Sequence, residues 1–159
     1  MKEIYIIGYP RSGNVWLARL LADIYGCPIK SSGDRVSIAQ RDGDNKNYCV
    51  IQDHFSSYKI NEFDNFINGI RMNPSKKPGN AYLVYLFRNP LDVVTSVYKY
   101  WQRASIRDTL EEMKNGGVVP NYVPFMESWF ENIRYIDFVV SYEQLKTNLD
   151  KKLRSIIND

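Results

Sequence analysis

Hydrophobic residues follow this chain in two rhythms, and the alternation between them predicts its architecture. Ile4 to Ile7 is a short apolar run broken by Gly8 and Pro10, as expected of a buried strand. Leu17, Leu20, Leu21 and Ile24 then recur at helical spacing, which predicts a helix from near Gly13 with these four facing the core. Gly26 and Pro28 stop it. Residues 30–47 are polar and read as a long loop. Tyr48 to Gln52 predicts a second strand ending at Asp53-His54, a weak pattern predicts a helix over Ile60 to Ile70, and residues 73–80 read as another loop.

Tyr82 to Phe87 is continuously apolar, the pattern of a strand buried on both faces. Asn89 can cap the helix that follows, Pro90 suits its first position, and Asp92 favours its first turn. Val93, Val97, Tyr100 and Trp101 mark its buried stripe. Further helices are predicted over 106–115, closed by Gly116-Gly117, and from Pro124 to Arg134 with Met126, Trp129, Phe130 and Ile133 inward. Asp137 to Ser141 is the last predicted strand, and Ser141 with Gln144 forms a capping box. The final helix turns Leu145, Leu149, Leu153 and Ile156 to one face. Strands alternating with helices predict an α/β fold in three layers, P-loop-like, with a mostly parallel central sheet of about four to five strands flanked by helices. No repeat or linker interrupts the pattern, so residues 1–159 read as a single domain.

Composition narrows the function classes. The 159 residues, 44 % hydrophobic and 14 % aromatic, suffice for one real core. A net charge of +3 is too small for a nucleic-acid footprint but suits anionic small molecules. Cys27 and Cys49 give neither a metal spacing nor a disulfide framework, and read as reduced thiols of a cytoplasmic protein. Ile4 to Ile7 is too short for a signal peptide, and no run approaches the roughly 20 apolar residues of a membrane span. Neither a nucleic acid nor a membrane is an expected partner.

Two constellations carry chemistry. Gly8-Tyr9-Pro10-Arg11-Ser12-Gly13-Asn14-Val15-Trp16 links a strand to a helix, and backbone N–H groups at such a turn converge on a phosphate. Arg11 adds a cation and Trp16 a flat ring, which together suit a nucleotide. A Walker A loop would place Lys and Ser or Thr after the second glycine, where Asn14 and Val15 stand. The second constellation is Arg88, at a predicted strand end where open α/β sheets bind ligands, with Ser96 two helical turns on. Both could grip a second phosphate. Each also has a plain reading, as a turn with an exposed arginine and as a surface ion pair.

Taken in order, these residues resemble the sulfotransferases that use 3′-phosphoadenosine 5′-phosphosulfate (PAPS). Tyr9 to Trp16 is similar to the family's 5′-phosphosulfate loop, usually Tyr-Pro-Lys-Ser-Gly-Thr-Thr-Trp. Arg88-Asn89-Pro90-Leu91-Asp92-Val93 through Ser96 is similar to its 3′-phosphate motif. Phe125 to Trp129 and Ser141-Tyr142-Glu143-Gln144-Leu145 resemble its later tryptophan helix and Tyr-Glu-x-Leu motif. The resemblance implies transfer of a sulfuryl group to a hydroxyl or amine, without a metal, on a small-molecule or glycan acceptor. It implies that the amides of Ser12, Gly13, Asn14, Val15 and Trp16 cradle the 5′-phosphate. Arg11, where lysine is commoner, would neutralise the leaving phosphate. Trp16 and Tyr142 would flank the adenine, and Arg88 and Ser96 would hold the 3′-phosphate. His54, the only histidine, stands where similar enzymes keep their general base; Asp53 or Glu62 is the alternative.

The departures have consequences. Asn14 and Val15 remove two hydroxyls, of which Asn14 can replace one. The family's basic Arg-Lys-Gly segment and its dimer motif are not found up to Asp159, so an open site with weaker cofactor grip is expected and the oligomeric state is unspecified. Lys151, Lys152 and Arg154 read as a solvated helix face. Two rival functions stand beside sulfuryl transfer. One is a non-catalytic module that binds the product nucleotide, 3′-phosphoadenosine 5′-phosphate (PAP). The other is a divergent P-loop kinase or NTPase, since Cys49 to Asp53 imitates a Walker B strand. The aromatics Phe55, Tyr58, Phe63, Phe66, Tyr122 and Phe125 either line an acceptor pocket or belong to the core.

Overall fold

Five short strands are paired side by side, and every pairing is parallel. The computed structural model describes residues 1–31, 42–53, 65–67, 70–72, 79–116, 121–131 and 133–158. The sheet is built from β1 (Lys2–Ile7), β2 (Ile29–Ser31), β3 (Tyr48–Asp53), β6 (Ala81–Phe87) and β7 (Phe138–Ser141), in the order β2-β3-β1-β6-β7. Two further strands, β4 (Asn65–Ile67) and β5 (Ile70–Met72), pair antiparallel as a separate hairpin.

The two-residue period of β1 and β6 divides the core. Tyr5, Ile7, Ala81, Leu83 and Tyr85 face one side, where Val93, Val94 and Val97 of α2 (Pro90–Tyr100) pack. Met113 of α3 (Ile106–Asn115) and Phe125 and Trp129 of α4 (Tyr122–Glu131) complete that layer. Ile4, Ile6, Tyr82, Val84 and Leu86 face the other side, against Leu17, Ala18, Leu21 and Ala22 of α1 (Asn14–Tyr25). Leu145 of α5 (Tyr142–Thr147) and Leu153 and Ile156 of α6 (Leu149–Asn158) join them. The result is the three-layer α/β architecture expected from the sequence.

Several boundaries differ from the sequence reading. The buried face of α1 is Asn14, Leu17, Ala18, Leu21 and Ala22, so Leu20 is only half-buried and Ile24 faces solvent. Two of these buried positions are the alanines Ala18 and Ala22, which a hydrophobicity count passes over. In α4 the inward pair is Phe125 and Trp129, while Phe130 and Ile133 are exposed; the chain leaves the helix at Glu131 and makes a 3₁₀ turn over Ile133–Tyr135. The single final helix is two helices, divided at Asn148. Where residues 60–70 are described they are extended, at β4 and the start of β5, and not helical.

The strand register decides where the functional turns emerge. Ile7 is level with Asp53 in β3 and Tyr85 in β6, and Phe87 is level with Ser141 in β7. Gly8, Arg88 and Tyr142 therefore leave the same edge of the sheet. β1 lies where the strand order reverses, the place at which open α/β sheets form a crevice. Asp137 fixes the last strand to its neighbour: its carboxylate accepts the Leu83 N–H at 2.7 Å and its own N–H donates to the Leu83 carbonyl at 3.0 Å.

Two helix starts at this edge are tied together. Asn89 caps α2 by accepting the Leu91 N–H at 2.9 Å, with Pro90 behind it as expected. Ser141 and Gln144 complete the capping box of α5. The Glu143 carboxylate then reaches across and accepts the Asn89 N–H at 3.0 Å.

Two predictions follow from these contacts. A Cβ added at Gly8 would collide with the Leu86 carbonyl oxygen and with Asn14 Oδ1. Gly8→Ala should cost about 1–3 kcal/mol, read as a lower urea midpoint at unchanged slope. Partial burial pushes the Glu143 carboxyl up. Hydrogen bonds from the Asn89 and Glu143 N–H groups and from Ser141, with the nearby Arg88 charge, outweigh it and hold the group below its ordinary value of 4.5. A depressed folded-state value stabilises the fold above 4.5, and that stabilisation disappears as pH falls through the lower value. Wild type should exceed Glu143→Gln in urea-unfolding stability at neutral pH, and the gap should narrow as the pH is lowered below 4.5.

Candidate active site

The loop after β1 is a turn under steric constraint. The Ser12 N–H donates to the Tyr9 carbonyl at 3.1 Å, closing a four-residue turn with Pro10 second and Arg11 third. Arg11 has φ of 71°, the left-handed region that a type II turn demands at its third position and usually fills with glycine. An arginine there costs about 1–2 kcal/mol of backbone energy. Gly13 follows at φ 100°, and a Cβ there would press on the Tyr142 ring.

The Asn14 side chain folds back beneath this turn. Its amide nitrogen donates to the Gly8 carbonyl at 2.9 Å and, more weakly, to the Tyr9 carbonyl at 3.4 Å. The side chain is thus a brace for the loop. The Ser12 N–H also points into the loop. The N–H groups at the start of α1, on Asn14, Val15 and Trp16, lie in the first turn, where a helix supplies no acceptor, and no side chain caps them. They are the natural seat for an anion.

Arg88 closes the crevice from the other side. One terminal nitrogen, Nη1, donates to the Arg11 carbonyl at 3.2 Å. Its guanidinium carbon lies 4.5 Å from the centre of the Tyr142 ring, which in turn meets the Trp16 ring edge-on at 5.6 Å. Asp92 approaches only to 4.0 Å and is 56 % exposed, so it neutralises Arg88 weakly. Arg88 Nε is buried with no hydrogen-bond partner among the described residues. A buried charged donor without an acceptor is costly, and an anion in the crevice would satisfy it.

Arg11 points toward α2. Its Nε donates to Ser96 Oγ at 3.2 Å, and its guanidinium carbon lies 4.0 Å from the centre of the Tyr100 ring. Direct contacts thus link Arg11, Trp16, Arg88, Ser96 and Tyr142 beside the loop of Ser12, Gly13, Asn14 and Val15. His54 and Glu62 lie outside the described residues, as does the side chain of Asp53. The β3 backbone ends at Asp53, level with Ile7.

Aromatic residues pack beneath the loop. Tyr9 meets the edges of Tyr122 and Phe125 at 4.8 and 5.3 Å, and the Tyr85 hydroxyl donates to Met126 Sδ at 3.2 Å. Burial, reinforced by Tyr122 and Glu112, pushes the Tyr9 phenol up, and burial does the same to Tyr85 and Tyr122. These phenols stay protonated at neutral pH and are no general bases. Phe125 is core, and Tyr122 is half-buried against it. Phe55, Tyr58 and Phe63 lie outside the described residues, as does the side chain of Phe66. Lys151 and Arg154 lie on the exposed face of α6, where Arg154 pairs with Asp150 at 2.9 Å.

Sequence reasoning missed two participants. Tyr100 was placed in the buried stripe of α2 but is 49 % exposed over Arg11. Glu143 had no assigned part, and its link to Asn89 joins residues 54 positions apart. No local pattern announces either. Among the described residues no group of three or more His, Cys, Asp or Glu is gathered to hold a metal, and no helix is long and apolar enough to cross a membrane.

The family model described as a sulfotransferase domain matches residues 1–158. Mouse Sulfotransferase 2A1 is 26 % identical over 180 residues, a match covering 98 % of this chain and 58 % of the relative. Rat Sulfotransferase 2A6 is 26 % identical over 145 residues, covering 84 % of this chain and 47 % of the relative. Mouse sulfotransferase SULT7A1, solved in complex with PAP, superimposes with a TM-score of 0.65 at 21 % identity, over 98 % of this chain and 56 % of that one. Retinol dehydratase, solved with androsterone and inactive cofactor PAP, gives 0.58 at 14 % identity, over 99 % and 60 %. At such identities the superpositions show a shared fold, and this chain spans about half to three-fifths of its relatives' length. The match along residues 1–158 and the shared P-loop-like fold together establish that the chain belongs to the sulfotransferase domain family.

Proposed function

We propose that this chain is a single PAPS-dependent sulfotransferase domain, acting in the cytoplasm on a small-molecule or glycan acceptor. The observation that carries this reading is the contact between Arg88 and the Arg11 carbonyl at 3.2 Å, which brings two anion-binding devices into one crevice. One is the start of α1. The other is Arg88 with Ser96. A nucleotide phosphorylated at both ends of its ribose suits such a pair, and both superimposed structures were solved with PAP.

In this reading the N–H groups of Gly13 to Trp16 hold the 5′-phosphate, and Trp16 and Tyr142 flank the adenine. Arg88 and Ser96 take the 3′-phosphate, which supplies Arg88 Nε with its acceptor. The acceptor oxygen or nitrogen attacks sulfur in line as the sulfur–oxygen bond to the 5′-phosphate breaks. Negative charge grows on that departing oxygen, and Arg11 neutralises it. Arginine stays protonated, so it stabilises the leaving group by charge and hydrogen bonding alone. His54 takes the acceptor's proton. The rest of the catalytic work is alignment of acceptor and donor.

The test combines binding and turnover. PAP should bind, and an acceptor screen with PAPS should release PAP in the presence of a metal chelator. Arg88→Ala should weaken PAP by about 10- to 100-fold and weaken adenosine 5′-phosphate, which lacks the 3′ group, far less. His54→Ala should abolish turnover with nearly unchanged PAP affinity; normal turnover would move the base to Asp53 or Glu62. PAP binding with no turnover of any acceptor would make the domain a nucleotide-binding module.

A further inference from the structure

Arg11 is restrained at three points, one of which belongs to no recognised motif. Its backbone is fixed at φ 71° by the turn behind Pro10. Its Nε is engaged by Ser96 at 3.2 Å. Its guanidinium carbon lies over the Tyr100 ring, 4.0 Å from the ring centre, well inside the range of a cation–π contact. Ser96 and Tyr100 are four residues apart on α2 and share the helix face that looks onto the loop. Among the described residues the terminal nitrogens of Arg11 have no hydrogen-bond or ion-pair partner.

We propose that Tyr100 is the positioning residue for Arg11: its ring supports the guanidinium so that the terminal N–H groups meet the 5′-phosphate end of the bound nucleotide. The inference rests on the sulfuryl-transfer reading and deepens it. It also explains the residue type at position 11. A guanidinium is planar and can stack on a ring while its edge donates hydrogen bonds. A lysine ammonium is compact and tetrahedral, and presents no plane. The resemblance leads one to expect lysine here; Tyr100 supplies the partner that favours arginine. The same contact accounts for a large aromatic side chain left 49 % exposed at the end of a helix whose valines fill the core.

The experiment is a titration of two ligands into five proteins. PAP carries the 5′-phosphate and adenosine 3′-phosphate lacks it. The proteins are wild type, Tyr100→Phe, Tyr100→Leu, Arg11→Lys and the double variant Arg11→Lys/Tyr100→Leu, with Tyr100→Gln as a second ring-less form should the leucine form fail to fold. Tyr100→Leu should weaken PAP by about fivefold, the scale of a partly exposed cation–π contact, and leave adenosine 3′-phosphate within twofold. Tyr100→Phe should bind PAP as wild type does, because it keeps the ring. In the Arg11→Lys background, Tyr100→Leu should have no further effect. Equal weakening of both ligands, or an undiminished effect of Tyr100→Leu beside Lys at position 11, would reduce Tyr100 to local packing and overturn the proposal alone. Failure of the wild type to bind PAP would instead remove the sulfotransferase reading, and this inference with it.

Discussion

The uniform direction of the sheet is the constraint on which everything else depends. Because β1, β3, β6 and β7 run parallel, their ends lie at one edge, and the residues after them emerge as neighbours. Gly8, Arg88 and Tyr142 are far apart in the chain, yet no element has to bend to bring them together. In an antiparallel arrangement alternate turns would open on opposite edges, and Arg88 could not reach the Arg11 carbonyl. That single hydrogen bond is therefore a readout of strand topology as much as of local chemistry.

The crevice that results carries more positive charge than its own acids neutralise. Arg11 and Arg88 approach through a backbone carbonyl, and each lays its guanidinium on a tyrosine, at 4.0 and 4.5 Å. Aromatic faces stabilise a cation without cancelling its charge. Asp92 stands at 4.0 Å in an exposed position, and the Glu143 carboxylate is engaged by the Asn89 N–H. Pairing either arginine with a buried carboxylate would have produced a more comfortable fold and a poorer anion site. The buried, unpartnered Arg88 Nε marks where that preference left an acceptor to be supplied.

Much of this was legible in the sequence, for identifiable reasons. Strand positions followed from continuous apolar runs at Ile4 to Ile7 and Tyr82 to Phe87, since strands buried on both faces leave no polar alternation. The caps at Asn89 and Ser141 followed from short-range side-chain chemistry and are realised bond by bond. What escaped depended on distance or on small side chains. Ala18 and Ala22 hold the buried face and Ile24 lies in solvent, an arrangement that a count of large apolar residues does not read. β2 is a three-residue edge strand defined by its register with Val50 to Gln52, not by its own pattern. The inward hydrogen bonds of the Asn14 side-chain amide to the Gly8 and Tyr9 carbonyls are likewise not written in the local pattern.

The Asn14 brace gives the loop its rigidity: the side chain reaches inward and fixes the turn that displays Arg11. The strain of a left-handed arginine points the same way, because such a conformation persists only where neighbours over-determine it. Here those neighbours are Pro10 on one side, the Ser12–Tyr9 hydrogen bond on the other, Asn14 beneath, and Ser96 with Tyr100 at the far end of the side chain. The chain's own contacts thus hold the loop in place. On the proposed reading, less binding free energy would be consumed in ordering the loop, and more would remain for holding donor and acceptor in line.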